Sequence, residues 1–247
     1  MAPNEPWFMN VTAGSRVQAR ASSDGIGRYR RPMPAALIFD LDGTLVDTVE
    51  TRIRAWLQVF AEVGIETARE RVAPLIGSDG RYLARRIAEA AGVPIDDRRA
   101  EEIDRRAGEI YGQLNRDPRP LPGTRDLLLS LGDRGLPWAI ATSSRREQVA
   151  RSVAALRLPR APTIVDGSHV EHAKPAPDLL LLAASELGVD AAECWYIGDS
   201  TWDMRAAVGA GMLAIGVTTG SASGDDLRAA GAAQVIGAMS ELVLPEV

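Results

Sequence analysis

The sequence predicts an α/β fold, a doubly wound parallel sheet with an all-helical segment inserted after its first strand. A short apolar run at 35–39 leads into a polar loop, as expected of a buried strand. From 49 to 117 the pattern is helical throughout. After residue 118 helical and apolar strand patterns alternate, which is typical of crossover units in a parallel sheet covered by helices.

Residues 1–33 predict a flexible N-terminal tail. They mix Pro, Asn, Gly, Ser and Arg without apolar periodicity, and such a composition buries too little apolar surface to order a chain. Their arginine-rich, acid-poor character leaves a transit segment open as an alternative. The remainder divides into an α/β core domain, 34–48 and 118–247, and a helical domain, 49–117.

The inserted segment and the core show different periodicities. In the insertion, apolar residues recur every three or four positions, as on one face of a helix: Ile53, Trp56, Leu57, Phe60, Val63, Leu83, Ile87 and Ala90. In the core, the predicted helices are 127–131, 149–156 and 179–187, and the predicted strands are 136–142, 163–165, 195–198 and 212–217.

Composition excludes several classes of protein. The formal charge is −5, and an acidic chain disfavours nucleic acid as the main partner. No apolar run approaches the roughly 18 residues of a membrane span, and no secretory signal precedes the fold. We therefore expect a cytoplasmic protein, a monomer or homodimer without membrane partners. Its single cysteine, Cys194, is interpreted as a small buried hydrophobic residue in a strand.

Polar residues follow four of the predicted strands. Asp40 and Asp42 come after the first, Thr142 to Ser144 after the second, 169–174 after the third and Asp199 after the fourth. In such sheets the ligand site lies beyond the carboxyl ends of the strands. We therefore expect these residues to meet in one crevice.

The acidic residues among them predict a metal site. Asp40 and Asp42 are two positions apart, so their carboxylates tend to the same side and repel each other unless a cation lies between them. Asp199, and Asp203 one helical turn later, complete an all-oxygen cluster of the kind that Mg²⁺ prefers. The predicted cofactor is Mg²⁺.

The same residues suit chemistry on a phosphate group. One carboxylate, Asp40, would attack phosphorus, and a second, Asp42, would protonate the leaving oxygen and later deprotonate a water. Lys174 is the only lysine in the chain, and its compact ammonium would offset the negative charge. Thr142 adds a hydroxyl, and the backbone N–H groups of Ser143 and its neighbour lead into the next helix, where phosphate is favoured.

Four segments, in order, resemble the signatures of the haloacid dehalogenase superfamily. The resemblance is closest to its phosphoglycolate phosphatase and beta-phosphoglucomutase branch, whose members carry a helical cap over the core. The matching segments are Leu37 to Thr48 (LIFDLDGTLVDT), Ala139 to Ser144 (AIATSS), Lys174 to Asp178 (KPAPD) and Ile197 to Asp203 (IGDSTWD).

This resemblance implies a role for each matched residue. Asp40 would become the aspartyl-phosphate and Asp42 would be the general acid and base. Thr142, Ser143 and Lys174 would bind phosphate. The ligands of Mg²⁺ would be Asp40, the backbone carbonyl of Asp42, and Asp199, with Asp203 supporting the metal site. The segment 49–117 would be the cap, a lid whose closure excludes water.

The resemblance also narrows the reaction. Dehalogenases usually lack an acid at the position of Asp42, and phosphonate-cleaving members use a cap lysine, which this chain does not have. We therefore predict a Mg²⁺-dependent phosphatase, a phosphoric monoester hydrolase acting on a small phosphorylated metabolite such as a sugar phosphate or phosphoglycolate. A beta-phosphoglucomutase-like phosphomutase is the alternative, and a catalytically silent binding module is a second one.

Substrate choice is expected to lie in the cap. The segment 76–81 resembles the family's specificity loop, and Arg81 within it would meet a second anionic or hydroxyl-rich group of the substrate. A solvent-facing arginine that opens a helix is the alternative interpretation. The two histidines, His169 and His172, are interpreted as ordinary surface residues.

Overall fold

The computed structural model describes residues 33–245. The tail predicted for residues 1–33 therefore lies outside the described residues, except for its last one. Residues Pro34–Val243 form one compact unit, which contains every helix and strand named below. Within the described residues, no helix is long and apolar enough to cross a membrane.

A six-stranded parallel sheet is the centre of the fold, in the order β5-β4-β1-β6-β7-β8. The chain runs outward from β1 to β5 and then returns to the other side of β1, which confirms the doubly wound order predicted from the sequence. The strands are β1 (Ala36–Phe39), β4 (Trp138–Ala141), β5 (Thr163–Val165), β6 (Cys194–Gly198), β7 (Leu213–Val217) and β8 (Gln234–Ile236).

The register of the central strands brings their carboxyl ends together. Phe39 at the end of β1 lies opposite Ile140 of β4 on one side and opposite Ile197 of β6 on the other. All four residues of β1 are fully buried, as expected for a parallel strand covered on both faces. Residues that directly follow these three strands therefore emerge at one edge of the sheet.

The helices of the core connect these strands. They are α5 (Thr124–Asp133), α6 (Arg146–Ala155), α7 (Asp178–Leu187), α8 (Thr201–Gly209) and α9 (Gly224–Ala229). Ile38 of β1 packs with Leu179 of α7 and Met204 of α8 in one buried apolar cluster. Helix α8 begins with a capping box, in which Ser200 and Asp203 each accept a hydrogen bond from the other's backbone N–H.

The insertion after the first strand is helical, as the periodicity predicts. It comprises α1 (Val49–Glu62), α2 (Arg69–Val72), a 3₁₀ turn (Ala73–Leu75), α3 (Gly80–Ala90) and α4 (Asp97–Leu114). These helices share an apolar cluster of their own, separate from that of the sheet, with Ile53, Phe60, Leu83, Ile87 and Ile103 among its buried members.

A two-stranded antiparallel ribbon joins the insertion to the core. It pairs β2 (Val46–Asp47), where the chain enters the insertion, with β3 (Arg119–Pro120), where the chain returns. Strands of two residues leave no periodic signal in a sequence, so this ribbon was not predicted. The two connections therefore lie side by side.

Candidate active site

The carboxyl ends of β1, β4 and β6 place Asp40, Thr142 and Asp199 at one edge of the sheet. The Asp40 N–H donates to the Ile197 carbonyl at 2.9 Å, and the Thr142 N–H donates to the Val165 carbonyl at 3.0 Å. Both residues therefore continue the hydrogen-bonding pattern of the sheet, which fixes their backbone positions. The crevice expected from the sequence brings these residues together.

Lys174 reaches the same place from the loop after β5. Its Nζ lies 2.5 Å from Asp40 Oδ1 and 2.8 Å from Asp203 Oδ1, and its side chain is fully buried. Burial disfavours the charged ammonium, but the carboxylates of Asp203 and Asp40 outweigh this effect and raise the pKa of Lys174 above its ordinary value. The ammonium is therefore held beside the predicted nucleophile.

Three carboxylates surround this point. Oxygens of Asp40, Asp199 and Asp203 lie within 4.8 Å of one another, and all three residues are buried. Asp199 accepts a hydrogen bond from Thr44 Oγ1 at 2.9 Å, and Asp203 accepts one from Tyr196 Oη at 2.8 Å. These hydrogen bonds fix the orientation of the carboxylates.

The electrostatics of this cluster fit a bound cation. Burial, together with the negative charge of its acidic neighbours, raises the pKa of Asp40 to about 7 although Lys174 opposes the shift. The same two causes, burial and the carboxylates of Asp203 and Asp40, raise the pKa of Asp199 well above its ordinary value. The single ammonium thus leaves negative charge uncompensated. A divalent cation with oxygen ligands would remove this repulsion.

The Asp42 carboxylate lies outside that cluster and has its own partners. It accepts hydrogen bonds from Arg52 at 2.8 Å, Thr48 at 2.5 Å, Ser144 at 2.9 Å and Tyr111 at 3.0 Å. Burial alone would raise its pKa, but the Arg52 guanidinium and the hydroxyl donors outweigh burial and lower it. In this arrangement Asp42 is a carboxylate.

Two of these partners come from the insertion and were not predicted from the sequence. The Arg52 guanidinium lies 3.6 Å from the centre of the Tyr111 ring, and its Nη1 donates to Gln148 Oε1 at 3.0 Å. Asn115 Nδ2 donates to the Tyr111 hydroxyl at 2.8 Å. Helical periodicity places Arg52 and Tyr111 on their helices but gives no signal for which polar residues turn inward.

The insertion covers the strand-end residues, and a cleft of about 50 Å³ lies beneath it. Besides the contacts of Arg52 and Tyr111, the hydrogen bonds that connect it to the core include Ser143 Oγ to the Gly77 carbonyl at 3.1 Å, the Asp79 N–H to the Lys174 carbonyl at 3.2 Å, and Trp202 Nε1 to the Pro74 carbonyl at 2.9 Å. The cleft is lined by Asp40, Asp42, Arg52, Trp56, Ile76, Gly77, Ser78, Gly80, Leu83, Asp104, Thr142, Ser143, Ser144 and Gln148.

Several residues singled out in the sequence do not line this cleft: Lys174, Asp199 and Asp203, which are buried beside Asp40, and also Arg81, His169 and His172. Arg81 forms an ion pair with Asp79 at 3.0 Å, and its side chain is 41% exposed. His169 Nδ1 accepts a hydrogen bond from the Asp166 N–H at 3.0 Å, and His172 Nδ1 lies 3.3 Å from Asp178 Oδ2. The role of Arg81 in specificity stays a prediction.

Comparison with known proteins identifies the family. A family model described as haloacid dehalogenase-like hydrolase matches residues 37–217, most of the chain. The chain belongs to this family. The prediction of a phosphatase-type hydrolase is confirmed at family level, because relatives in the same comparison are named phosphatases.

Three similar proteins illustrate the relationship. The probable phosphatase IndB of Dickeya dadantii is 32% identical over 85% of this chain and 93% of its own length. The fructose-1-phosphate phosphatase YqaB of Escherichia coli is 33% identical over 74% of this chain and 96% of its own length. The crystal structure of a hydrolase from Pseudomonas syringae superposes with a TM-score of 0.79 and 34% identity, covering 83% of this chain and 94% of that one.

Relatives at similar identity carry different names. A phosphoglycolate phosphatase of Pectobacterium atrosepticum is 31% identical over 78% of this chain and 83% of its own length. A beta-phosphoglucomutase of Bacillus subtilis is 32% identical over 75% of this chain and 84% of its own length. Family membership alone therefore determines neither the substrate nor whether the reaction is that of a phosphatase or a phosphomutase. Both depend on the residues of the cleft.

Proposed function

We propose that the chain is a Mg²⁺-dependent phosphatase that hydrolyses a small phosphorylated metabolite through an aspartyl-phosphate on Asp40. The observation that carries this proposal is the buried Lys174 ammonium, 2.5 Å from Asp40 and 2.8 Å from Asp203. Asp40 itself lines the cleft. A buried cation beside such a carboxylate suits a dianionic phosphate that must approach a negatively charged nucleophile.

In the first half of the reaction, an Asp40 carboxylate oxygen forms a bond to phosphorus while the bond from phosphorus to the ester oxygen breaks. Asp42 must enter this step protonated; it donates that proton to the leaving oxygen and so becomes the carboxylate. In the second half, Asp42 takes a proton from a water, the water oxygen attacks phosphorus, and the bond to Asp40 breaks to release inorganic phosphate. The carboxylate form, which Arg52 favours, is the form that accepts the proton.

The metal would be held by Asp40 and Asp199 with the backbone carbonyl of Asp42, and Asp203 would support the site. Bound Mg²⁺ supplies positive charge that offsets the repulsion between carboxylate and phosphate. The donors are all oxygen atoms, which favours Mg²⁺ over metals that prefer nitrogen or sulfur ligands.

Thr142, Ser143 and Lys174 would bind the phosphoryl oxygens. The Thr142 hydroxyl accepts a hydrogen bond from the Ser144 N–H at 3.2 Å, which orients its own proton away from that neighbour and toward an acceptor.

The same proposal includes two further points. Residues 34–48 and 118–247 form an α/β core domain and residues 49–117 form a cap domain. The protein is located in the cytoplasm.

Phosphomutase activity is the second candidate, because a relative is named beta-phosphoglucomutase. The two activities differ in whether water or a sugar hydroxyl accepts the phosphoryl group. The spacing of Asp199 and Asp203 favours the phosphatase, since sugar phosphomutases of the superfamily tend toward adjacent acids at these positions. Incubation of a hexose 1-phosphate with a catalytic amount of its bisphosphate separates them: formation of the 6-phosphate would identify a mutase.

The proposal is tested with p-nitrophenyl phosphate, with Mg²⁺ or with EDTA. We expect Mg²⁺-dependent release of phosphate, loss of turnover in Asp40→Asn, and retained binding of inorganic phosphate by that variant. Asp47→Asn is a matched control, because Asp47 lies in the same segment but is exposed. Turnover that survives in Asp40→Asn would remove Asp40 as the nucleophile.

A further inference from the structure

We propose that the cleft selects a neutral, hydroxylated leaving group over one that carries a carboxylate, and that Asp104 sets this preference. The inference rests on the proposed function, because it concerns the leaving group of the same reaction.

Asp104 projects from α4 into the cleft. Its side chain is 16% exposed, and its Oδ2 accepts a hydrogen bond from Arg145 Nη2 at 3.1 Å. Among the described residues, no donor is hydrogen-bonded to the other oxygen, Oδ1. The cleft therefore contains one carboxylate oxygen with free capacity to accept a hydrogen bond.

Gly80 makes room for this carboxylate. A Cβ atom placed on Gly80 would lie 1.9 Å from Asp104 Oδ1, which is far inside van der Waals contact. Any larger residue at position 80 would displace the acid or the start of α3. The position of the carboxylate thus depends on a residue without a side chain.

The other charges of the cleft are already paired. Among the described lining residues, Arg52 is the one cation, and its two terminal nitrogens are occupied by Asp42 and Gln148. The Asp40 carboxylate contacts the buried ammonium of Lys174. The Arg52 Nε has no hydrogen-bond partner, but this atom is buried. Among the described residues that line the cleft, no cation without an anionic partner is therefore left to receive a substrate carboxylate.

A substrate carboxylate would instead meet the like charge of Asp104. Burial raises the pKa of Asp104 to about 6, with Arg145 opposing the shift, so the group is mainly ionised at neutral pH and above. Ionised carboxylates only accept hydrogen bonds, and hydroxyl groups donate them. The other polar side chains that line the cleft, those of Ser78, Gln148 and the segment 142–144, are neutral and also suit hydroxyl groups.

The test uses two compounds that differ in one group. Glycerol 3-phosphate ends in a hydroxymethyl group where 3-phosphoglycerate ends in a carboxylate, and the two are otherwise alike. Each is measured as a competitive inhibitor of Mg²⁺-dependent p-nitrophenyl phosphate hydrolysis, so the ratio of inhibition constants is defined even for a compound that turns over slowly. We expect glycerol 3-phosphate to bind about 10- to 100-fold more tightly, the range for a hydrogen bond to a charged group.

Variants assign the preference to Asp104. Asp104→Asn keeps the shape but removes the charge, and we expect it to reduce the ratio about tenfold. Glu101→Gln is the matched control, because Glu101 pairs with the same Arg145 at 2.6 Å but does not line the cleft. It should leave the ratio unchanged. Gly80→Ala pushes the Asp104 carboxylate aside, so it should shift the ratio in the same direction as Asp104→Asn. It replaces Asp104→Asn in the test if Asp104→Asn folds poorly.

Several outcomes would overturn the inference without touching the proposed function. Equal or tighter binding of 3-phosphoglycerate would do so, as would a ratio that neither Asp104→Asn nor Gly80→Ala changes. Tighter binding of 3-phosphoglycerate that is lost in Arg52→Gln would assign the subsite to Arg52 instead. Absence of any Mg²⁺-dependent hydrolysis of p-nitrophenyl phosphate is a different result, because it removes the proposed function itself.

Discussion

Replacing Lys174 with methionine tests how the active site is held together. The side chain is fully buried, and its Nζ contacts Asp40 at 2.5 Å and Asp203 at 2.8 Å. Methionine fills similar space without charge, so the variant leaves buried carboxylates without their cation. Removing one partner of a buried ion pair costs about 3–5 kcal/mol, a large part of the roughly 5–15 kcal/mol that stabilises a typical domain.

The assay is urea unfolding of the wild type, Lys174→Met, Asp40→Asn and the double variant, each with EDTA. We expect the free energy of unfolding of Lys174→Met to fall by about 3–5 kcal/mol. The double variant should lose less than the sum of the single losses, with a coupling of about 0.5–3 kcal/mol. Excess Mg²⁺ should recover part of the loss in Lys174→Met, because a cation that binds the folded state stabilises it.

A loss below about 1 kcal/mol in Lys174→Met would refute this reasoning, since that is the value of an exposed ion pair. Additive losses in the double variant would refute it as well. Lys174→Arg provides a further comparison. The guanidinium is larger than the fully enclosed ammonium, so we expect overpacking to cost about 1–3 kcal/mol.

Three further predictions concern the surroundings of the site. Arg52→Gln removes the cation that lowers the pKa of Asp42, so this pKa should rise. Because hydrolysis of the aspartyl-phosphate needs Asp42 as a carboxylate, the acidic limb of the pH profile for that second half of the reaction should move to higher pH, and an unmoved limb would contradict the assignment of Asp42. Tyr111→Phe leaves Asn115 Nδ2 with one acceptor fewer and should lower the free energy of unfolding by about 1–3 kcal/mol in a urea titration. Ser200→Ala removes the N-cap of α8 and should cost about 0.5–2 kcal/mol by the same titration.

The parallel sheet was predictable because its strands are short apolar runs separated by helical periodicity. Once the strands are parallel, their carboxyl ends must lie at one edge, and Asp40, Thr142 and Asp199 are brought together by the geometry of the sheet alone. Lys174 was predictable for a different reason, since it is the single lysine in an arginine-rich chain. Strand β8 and helix α9 were missed because the segment 224–236 consists mainly of Gly, Asp and Ala, with Leu227, Val235 and Ile236 as its only large apolar residues.

The contacts of the insertion were not predictable from periodicity. Arg52 of α1 contacts Asp42 through the packing of the insertion over the core, and no local sequence pattern encodes this tertiary contact. The position of Asp104 in the cleft was not predictable either, because it is one of many charged residues on α4. Arg81 differs from these residues because its partner is local. It pairs with Asp79, the N-cap of α3, and this ion pair was not predicted from the sequence.

The short ribbon formed by Val46–Asp47 and Arg119–Pro120 has an evolutionary consequence. Because the chain leaves the core and comes back at neighbouring points, the intervening segment can be exchanged for another, or shortened to a turn, without moving any strand of the sheet. Recombination at this point would keep Asp40, Thr142 and Asp199 in place and change the contacts to the leaving group in one step, provided that the new segment again supplies partners for Asp42 such as Arg52 and Tyr111. In such a scaffold the range of substrates can therefore change during evolution while the catalytic residues of the core stay the same.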